Sequence, residues 1–460
     1  MDVLGKKSLV LGAGRSGVAS ARFLAERGAT VALHDRKPVE DWSDAARSLK
    51  DSHSIGLIAG DLPSWLLDQI DLVVISPGVP TNTIPARYVD RKDGEVIGEV
   101  ELAYRFMKGR IVGITGSNGK TTTTALIGEI LKAAGFKTQV GGNIGTAMIS
   151  LVETSADDGW TVVELSSFQL ETIKDLHPDV AICLNVTPNH LDRYDSFFDY
   201  AAAKHRLFMN QTGNDTAILN ADNEITEEWA NGLRARTLLF SVKREVNEGC
   251  FLRGRELIYR SGGTETRLIT RNDIFLPGLH NVENVLAAFA AGIACGAVIE
   301  QIAEAVRTFK GVEHRIEFLA EVSGVRFYND SKATSVDATM KALEALADEN
   351  SKTVLILGGR GKNAPYSPLI PLIESSVSHL ILIGEDADNI EKQLAGVAPI
   401  TRAASLADAV RSGYELAGRG DRVLLAPACA SFDMFGSFEE RGEVFKRAVS
   451  ELTALQAAEA

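Results

Sequence analysis

Short hydrophobic runs that end in glycine recur at three distant places along the chain, at residues 8–12, 111–116 and 353–359. Each run leads into a stretch with the hydrophobic spacing of a helix, and this order is typical of buried parallel strands in α/β units. Each block also contains further runs that predict strands, at 31–33, 72–75, 161–165, 180–184, 379–384 and 422–427. We therefore predict an α/β protein with three domains.

The segments between the blocks indicate where the domains meet. Boundaries near residue 100 and near residue 312 give predicted domains at residues 1–99, 100–311 and 312–460. Residues 240–275 alternate between polar and apolar positions, and this period of two predicts antiparallel strands appended to the middle domain.

The composition is that of a globular protein, with 45% hydrophobic and 24% charged residues among 460. Lys and Arg number 48 against 61 Asp and Glu, so the net charge is −13, which argues against nucleic-acid binding. Small anionic substrates are compatible with this charge, because a few lysines and backbone N–H groups are enough to hold a phosphate.

The chain also lacks the signals of membrane and secreted proteins. No hydrophobic stretch approaches the ~18 residues that predict a membrane span, and glycines interrupt the first hydrophobic run too early for a signal peptide. The four cysteines lie far apart, without metal-ligand spacing, which predicts reduced thiols. They are Cys183, Cys250, Cys295 and Cys429. We expect a cytoplasmic protein with no membrane span.

A glycine-rich turn after the first predicted strand has the G-x-G-x-x-G pattern, from Gly12 to Gly17, and Asp35 ends the next strand. Glycines at this spacing allow a tight turn and let a diphosphate approach the N-terminus of a helix. The pattern fits NAD, FAD or a UDP-linked substrate. A tight turn without any ligand is the alternative.

The turn after the strand at 111–116 carries a stronger signal, because it reads TGSNGKT from Thr115 to Thr121. Ile114 holds the first glycine position of the strict phosphate-loop pattern, yet the turn matches the shorter G-x-x-G-K-T form. In such a loop the backbone N–H groups hold phosphates, Lys120 can reach the β and γ oxygens, and the Thr121 hydroxyl can bind Mg²⁺. A nucleoside triphosphate and Mg²⁺ are therefore predicted, with a chance Gly-Lys-Thr turn as the alternative.

The presence of two nucleotide-type loops on one chain limits the classes of enzyme to which the protein can belong. A dehydrogenase needs only the first loop, and a simple ATPase needs only the second. A ligase that joins a nucleotide-linked substrate to another molecule at the expense of ATP needs both.

Polar residues downstream of the phosphate loop predict a metal site. Glu164 ends one strand and His190 lies in the loop after the next, where ligands bind in parallel sheets. A carboxylate and an imidazole bind hard or borderline metals together, whereas alone they are more often a capping carboxylate and a loop histidine. Lys204 lies in an alanine-rich helix, and its surroundings alone favour an exposed or snorkelling side chain.

Three loops in the last third of the chain supply donors for an anionic substrate. They contain Lys332 and Thr334, Lys362, and Ser431. Cys429 has no histidine partner in a recognisable thiol-enzyme context, so we interpret it as a small packed residue.

These motifs, taken in order, resemble the Mur ligase family of peptidoglycan synthesis over essentially the whole chain. The phosphate loop and the segment NDSKAT at 329–334 are shared by several Mur ligases and by folylpolyglutamate synthase. The segments ELSSFQ at 164–169 and ACASFDMFGSF at 428–438, followed by Glu440-Arg441-Gly442, are similar to the D-glutamate-adding members. Ser76-Pro77-Gly78 fits the first domain of those members and of the alanine-adding ones.

The resemblance implies a Rossmann-like N-terminal domain that holds a UDP moiety, a central P-loop-type ATPase domain with a mostly parallel sheet, and a C-terminal Rossmann-like domain. It implies ATP-dependent ligation of D-glutamate to UDP-N-acetylmuramoyl-L-alanine through an acyl phosphate, giving ADP and phosphate. ATP and two Mg²⁺ ions would take part, no nucleic acid would be a partner, and we expect a monomer.

The resemblance also implies roles for individual residues. The catalytic residues would be Lys120, Glu164, His190, Lys204 and Lys332, and Mg²⁺ would bind Thr121, Glu164, His190 and Lys204, the last as a carbamate. ATP would meet Gly116, Ser117, Asn118, Gly119, Lys120, Thr121, Thr122, Asn281, His314, Arg315 and Asp330. The UDP-linked substrate would meet Gly14, Arg15, Ser16, Gly17, Asp35, Arg36, Gly78 and Asn143, although Arg15 and the nearby Lys37 depart from the residue types expected around uridine. D-Glutamate would meet Lys332, Thr334, Lys362, Ser431 and Phe438.

Three alternatives remain at this point. The chain could add another amino acid, as other Mur ligases do, or it could sense cell-wall precursors without turnover. Glu164, His190 and Lys204 speak against a sensor, since sensing needs no metal-bridged phosphoryl site. An NAD-dependent oxidoreductase would use Gly12–Gly17 but would leave Lys120 unexplained.

Overall fold

The computed structural model describes residues 1–85, 88, 94–143, 145–188, 193–276, 278–347, 351–361 and 364–459. The chain divides into two compact units, Met1–Ile274 with Leu279–Phe309 and Phe275–Gly278 with Lys310–Ala460. The described strands form two sheets in the first unit and one in the second. The α/β class is therefore confirmed, whereas the domain boundaries at residues 99 and 311 stay predictions.

The first sheet is parallel throughout its described strands. These are β1 (Lys7–Leu11), β2 (Thr30–Asp35), β3 (Gly56–Ala59), β4 (Leu72–Ile75) and β5 (Glu95–Gly98), in the order β3-β2-β1-β4-β5. The accompanying helices are α1 (Arg15–Glu26), α2 (Asp44–Arg47), α3 (Leu49–His53), α4 (Ser64–Leu67) and α5 (Glu99–Tyr104). This order places the carboxyl ends of β1, β2 and β4 side by side, where the Gly12–Gly17 turn begins.

The second sheet joins a parallel part to an antiparallel part. The parallel part contains β6 (Arg110–Thr115), β7 (Thr138–Gly142), β8 (Trp160–Glu164), β9 (Val180–Cys183), β10 (Thr216–Asn220), β11 (Arg236–Ser241) and β12 (Gly249–Arg253). Strands β13 (Glu256–Ser261) and β14 (Thr264–Thr270) continue it antiparallel, as the alternation at 240–275 predicts, in the overall order β14-β13-β12-β11-β10-β9-β6-β8-β7. Its helices are α6 (Lys120–Ala133), α7 (Ser167–Leu170), α8 (Phe197–His205), α9 (Glu224–Trp229), α10 (Leu279–Ala294) and α11 (Ile299–Thr308).

The third sheet forms the core of the second unit. Its described strands are β15 (Glu317–Val322), β16 (Val325–Asn329), β17 (Thr353–Gly358), β18 (Val377–Ile383), β19 (Ile400–Arg402) and β20 (Arg422–Leu425), in the order β15-β16-β20-β17-β18-β19. Only β15 runs antiparallel to its neighbour among them. The helices are α12 (Val336–Leu346), α13 (Ile370–Ser376), α14 (Ala387–Leu394), α15 (Leu406–Leu416) and α16 (Phe438–Glu459).

Central strands explain why the hydrophobic runs are continuous rather than alternating. Every residue of β8, β17 and β20 is buried, because helices cover both faces of a parallel sheet. Within the described part of the chain, no helix has the length and the apolar character needed to cross a membrane.

Helix α5 ties the first sheet to the second through two buried acids. The Glu101 carboxylate accepts hydrogen bonds from the backbone N–H groups of Lys174 at 2.8 Å and Leu176 at 3.1 Å, and from Arg105 Nε at 2.8 Å. Glu99 Oε1 accepts from the N–H of Ile149 at 2.7 Å, whereas the buried Glu99 Oε2 has no hydrogen-bond partner. Burial raises the pKa of Glu99 to about 7, because the charged form is poorly solvated there.

We expect the Glu99→Gln variant to be more stable than the wild type at pH 8 and equally stable below pH 4.5. The pKa of Glu99 is 4.5 when solvated and about 7 in the fold, so the stability that its neutral form contributes is complete below the lower value. That stability is lost as pH rises through the folded value, by about 3 kcal/mol at most. Urea unfolding of both proteins from pH 4 to pH 8 measures the difference, and parallel pH profiles would contradict it.

Candidate active site

The phosphate loop follows β6 and opens α6 directly. Gly116 and Gly119 have φ values of 149° and 83°, which only glycine adopts readily. A Cβ on Gly119 would lie 2.3 Å from Oδ1 of the buried Asn284, so the loop packs against α10 at this point. No side chain caps the start of α6. The N-terminus of this 14-residue helix, which includes Thr121 and Thr122, is the kind of position at which anions bind.

Asn185 holds the rest of the loop in place. Its backbone oxygen accepts from the N–H of Ser117 at 2.9 Å, and its side-chain Oδ1 accepts from the N–H of Asn118 at 2.9 Å. The Ser117 hydroxyl lies 3.0 Å from the hydroxyl of Tyr200 on α8. The loop is therefore fixed from β9 and α8 as well as from its own helix.

Two lysines meet at the same carbonyl group of this loop. Lys120 Nζ donates to Gly116 O at 2.8 Å and to Ser117 O at 3.0 Å, and Lys204 Nζ donates to Gly116 O at 2.9 Å. Lys204 is only 1% exposed, so the interpretation of an exposed or snorkelling lysine is wrong. Burial first, and the charge of Lys120 second, lower the pKa of Lys204 to about 7.

Glu164 ends β8 beside the phosphate loop. It is 2% exposed, its Oε2 accepts from Thr121 Oγ1 at 2.9 Å, and its Oε1 accepts from Asn143 Nδ2 at 2.9 Å. A carboxylate and a hydroxyl in contact beside a phosphate loop are the hard oxygen donors that Mg²⁺ prefers, so these residues fit the ion. The structure thus brings Thr121, Glu164 and Lys204 together, whereas the predicted ligand His190 lies outside the described residues.

Asp35 ends β2, and its carboxylate accepts hydrogen bonds from two backbone N–H groups. Its Oδ2 accepts from the N–H of Ala13 at 2.8 Å and its Oδ1 accepts from the N–H of Lys37 at 3.0 Å. Oδ2 therefore holds the glycine-rich turn of the first sheet, and Oδ1 holds the segment that follows β2. Gly17 lies under the same turn, because a Cβ there would be 1.8 Å from Gly12 O.

A cavity of about 630 Å³ opens above this turn, within the size range of ligand sites. Arg15 crosses from the first sheet and donates from Nη1 to Gly145 O, at 2.9 Å, in the loop after β7. Asn143, in that same loop, lines the cavity and also bonds Glu164, so the cavity adjoins the phosphate-loop cluster. The predicted UDP-site residues that line it are Gly14, Arg15, Ser16, Asp35, Arg36, Gly78 and Asn143.

The sequence interpretation missed several residues of this cavity. His34, Ser76 and Gln169 also line it. Gln169 forms a capping box with Ser166 at the start of α7, and the spacing Ser-x-x-Gln was a signal that could have located it. His34 and Ser76 become neighbours only through the strand order, which the sequence does not state.

The second unit holds the remaining predicted ATP contacts except Asn281, which lies on α10 of the first unit. His314 is buried, and its Nδ1 accepts from Asn329 Nδ2 at 3.0 Å. The backbone oxygen of His314 accepts from the N–H of Lys332 at 3.1 Å. Asp330 is 6% exposed, and burial raises its pKa to about 7 against the opposing effect of the Arg315 charge.

The loops of the predicted D-glutamate residues meet around one buried arginine. Arg441 Nη2 donates to Ser331 O at 2.9 Å, and its Nη1 donates to Cys429 O at 3.1 Å. The Ser331 hydroxyl donates to Phe438 O at 2.8 Å. The segments that carry Lys332 and Thr334, Ser431, and Phe438 are therefore held together, whereas Lys362 lies outside the described residues.

Cys429 is buried, and its surroundings disfavour the thiolate form. Its Sγ lies 3.0 Å from the hydroxyl of Tyr366, and burial raises the pKa of the thiol to about 11. The thiolate is thus scarce at neutral pH, as the interpretation of a packed small residue requires.

Comparisons with known families cover most of the chain. Residues 6–98 match the family described as Mur ligase MurD-like, N-terminal domain. Residues 114–292 match the Mur ligase middle domain, and residues 314–429 match the domain described as Mur ligase, glutamate ligase domain.

Similar proteins align from end to end. A UDP-N-acetylmuramoylalanine--D-glutamate ligase from Koribacter versatilis is 48% identical over 98% of this chain and 99% of its own length. A protein of the same name from Acidobacterium capsulatum is 47% identical over 97% of this chain and 96% of its own. The solved structure of UDP-N-acetylmuramate-alanine ligase MurC from Thermotoga maritima covers 97% of this chain and 99% of its own, with a TM-score of 0.58 and 19% identity. At that identity it shows a shared fold.

Proposed function

Because this chain belongs to the Mur ligase family, we propose that it joins D-glutamate to UDP-N-acetylmuramoyl-L-alanine at the expense of ATP. The three-domain α/β fold and the full-length relatives named for this reaction support the proposal. The observation that carries it is the bond from Asn143 to Glu164, which links the nucleotide cavity to the phosphate loop. One active site can therefore hold a UDP-linked substrate beside the γ-phosphate of ATP.

The proposed reaction has two steps, in which the substrate carboxylate is first activated as an acyl phosphate and then joined to the amine. The carboxylate of the UDP-linked substrate attacks the γ-phosphate of ATP, the bond to the β-phosphate oxygen breaks, and an acyl phosphate and ADP form. The amine of D-glutamate then attacks the acyl carbonyl, loses a proton, and phosphate leaves. Lys120 and the N-terminus of α6 neutralise charge on the transferring phosphoryl group.

Residues of the phosphate loop and of β8 would hold Mg²⁺. Thr121, Glu164, His190 and the carbamate of Lys204 would hold two ions, which supply charge neutralisation for the phosphates when bound. The lowered pKa of Lys204, about 7, supports the carbamate, because only the neutral amine adds CO₂. The ammonium form first loses one proton. The neutral amine then forms the N–C bond to CO₂ and releases a second proton, which leaves an anionic oxygen donor.

The nucleotide cavity would hold the UDP moiety. The guanidinium groups of Arg15 and Arg36, together with the N-terminus of α1, would bind the diphosphate, and Gly14, Ser16, Gly78 and Asn143 would contact the rest. Asp35 and Gly17 would shape the turn, and Asp35, which lines the cavity, would also contact the UDP-linked substrate.

The second unit would bind the acceptor amino acid. Lys332, Thr334, Lys362, Ser431 and Phe438 would bind D-glutamate, and His314, Arg315 and Asp330 would contact ATP together with Asn281. We further propose that the protein works as a cytoplasmic monomer.

Phosphate release tests the function directly. We expect purified protein with ATP, Mg²⁺ and UDP-N-acetylmuramoyl-L-alanine to release phosphate only when D-glutamate is added, with L-glutamate as the matched control. Activity with L-alanine or a diamino acid instead would indicate a different acceptor within the family. Release that does not depend on an acceptor, or no release at all, would contradict the ligase proposal.

A further inference from the structure

A second cavity of about 530 Å³ lies in the first unit, next to the nucleotide cavity but separate from it. Ile75 and Thr81 line the second cavity, whereas residues 76–80 between them line the first. One loop thus forms a wall of both. Apolar side chains from β5, from the turn after α7 and from α8 line one part of the second cavity, namely Val96, Ile173, Ala202 and Ala203. Polar and charged residues line the rest, namely Glu171, Thr172, Lys174, Tyr194, Asp199 and Arg206.

The acidic side chains of this cavity already have partners. Glu171 accepts from the Tyr194 hydroxyl at 2.6 Å and from Arg193 Nη2 at 3.3 Å. Asp199 is exposed and accepts from the Ser196 hydroxyl at 2.7 Å, near the start of α8.

The basic side chains that line the cavity are Arg206 and Lys174. Arg206 Nε donates to Leu170 O at 2.9 Å and its Nη2 donates to Ile173 O at 2.5 Å, so two carbonyl groups fix the guanidinium. No carboxylate within the described ranges pairs with it, and its Nη1 keeps a free donor. Lys174 shares Glu95 with Arg105. The cavity therefore combines an apolar wall with a fixed cation.

We propose that this cavity binds an amphipathic carboxylate, with its carboxylate on Arg206 and its apolar chain against Ile75, Val96 and Ala203. A fixed guanidinium that lacks a carboxylate partner suits such an anion, and the volume fits a ligand larger than acetate. The ligand would also contact α8 one residue from Lys204. It would therefore lower turnover by shifting this helix, an effect that rests on the proposed function, whereas binding itself does not.

Isothermal titration of the full chain with octanoate tests the site without ATP or substrates. We expect saturable binding of octanoate, and at least tenfold weaker binding of its neutral analogue octanamide. Ala202→Trp should weaken octanoate binding at least tenfold by filling the cavity. The matched control Arg36→Trp, in the nucleotide cavity, should leave it unchanged.

Arg206→Gln and Ala202→Trp test the site in different ways. Arg206→Gln removes the cation but also two bonds to carbonyl groups and can unfold the protein, whereas Ala202 is an exposed helix residue whose substitution leaves those bonds intact. Melting curves of each variant check the fold. No binding of octanoate, equal binding of octanamide, or unchanged binding by Ala202→Trp would overturn the proposal, whatever the outcome of the phosphate-release assay.

Discussion

Replacing Lys120 with alanine should lower the rate of phosphate release by about 10²–10³-fold, the loss that follows removal of one preorganised donor to developing charge. Lys120 opens α6, and its bonds to the Gly116 and Ser117 carbonyl groups hold its ammonium group over the phosphate loop. Charge spreads over the phosphoryl oxygens during transfer, so a cation there stabilises the transition state more than the bound substrate. The effect should therefore appear mainly in kcat.

The same helix supplies the matched control. Lys132 lies near the end of α6, about half exposed, where it pairs with Glu129 at 2.9 Å. Lys132→Ala removes an equal charge from the same element, and its turnover should stay near that of the wild type. Single-turnover assays at saturating ATP separate binding from chemistry. Near-normal turnover by Lys120→Ala would contradict the assignment of this loop as the ATP site.

The sheets and their loops could be predicted because their residues carry local signals. The run at 353–359 is continuous, since β17 is buried on both faces, and the alternation at 240–275 marks strands β12–β14. The phosphate loop can be recognised from Gly116 and Gly119, because the backbone has positive φ at both positions. These signals lie within a few residues of the features they predict.

The remaining parts of the site depend on contacts between distant segments. Asn143 and Glu164 are 21 residues apart, and they meet because β7 pairs with β8 in register. Lys204 reaches Gly116 across 88 residues, so an alanine-rich helix gives no local hint that this amine is buried. Glu99 is similar, because its burial depends on packing of α5 against the segment that begins at Met148. These contacts in space cannot be predicted from the spacing of the residues along the chain.

Replacing Lys204 should test the carbamate more sharply than any other change. We expect Lys204→Ala to lower turnover by about 100-fold or more, since a lost ligand should weaken the metal site at least as much as a lost supporting group does. The substitution empties buried space beside Gly116 and Glu164. Formate or acetate can enter that space and replace the missing carboxylate, so either anion should restore part of the activity, whereas formamide should not.

The pH dependence of the wild type separates a carbamate from a structural amine. The amine adds CO₂ only when neutral, so with a pKa of about 7 the carbamate should be lost as pH falls through that value, and turnover should fall with it. Added bicarbonate should offset the loss below pH 7. Lys204→Arg keeps a cation that can bond Gly116 O but adds no CO₂, and it should stay inactive at every pH. Normal turnover by Lys204→Arg, or a Lys204→Ala variant whose turnover formate does not restore, would show that Lys204 supports the phosphate loop as a cation.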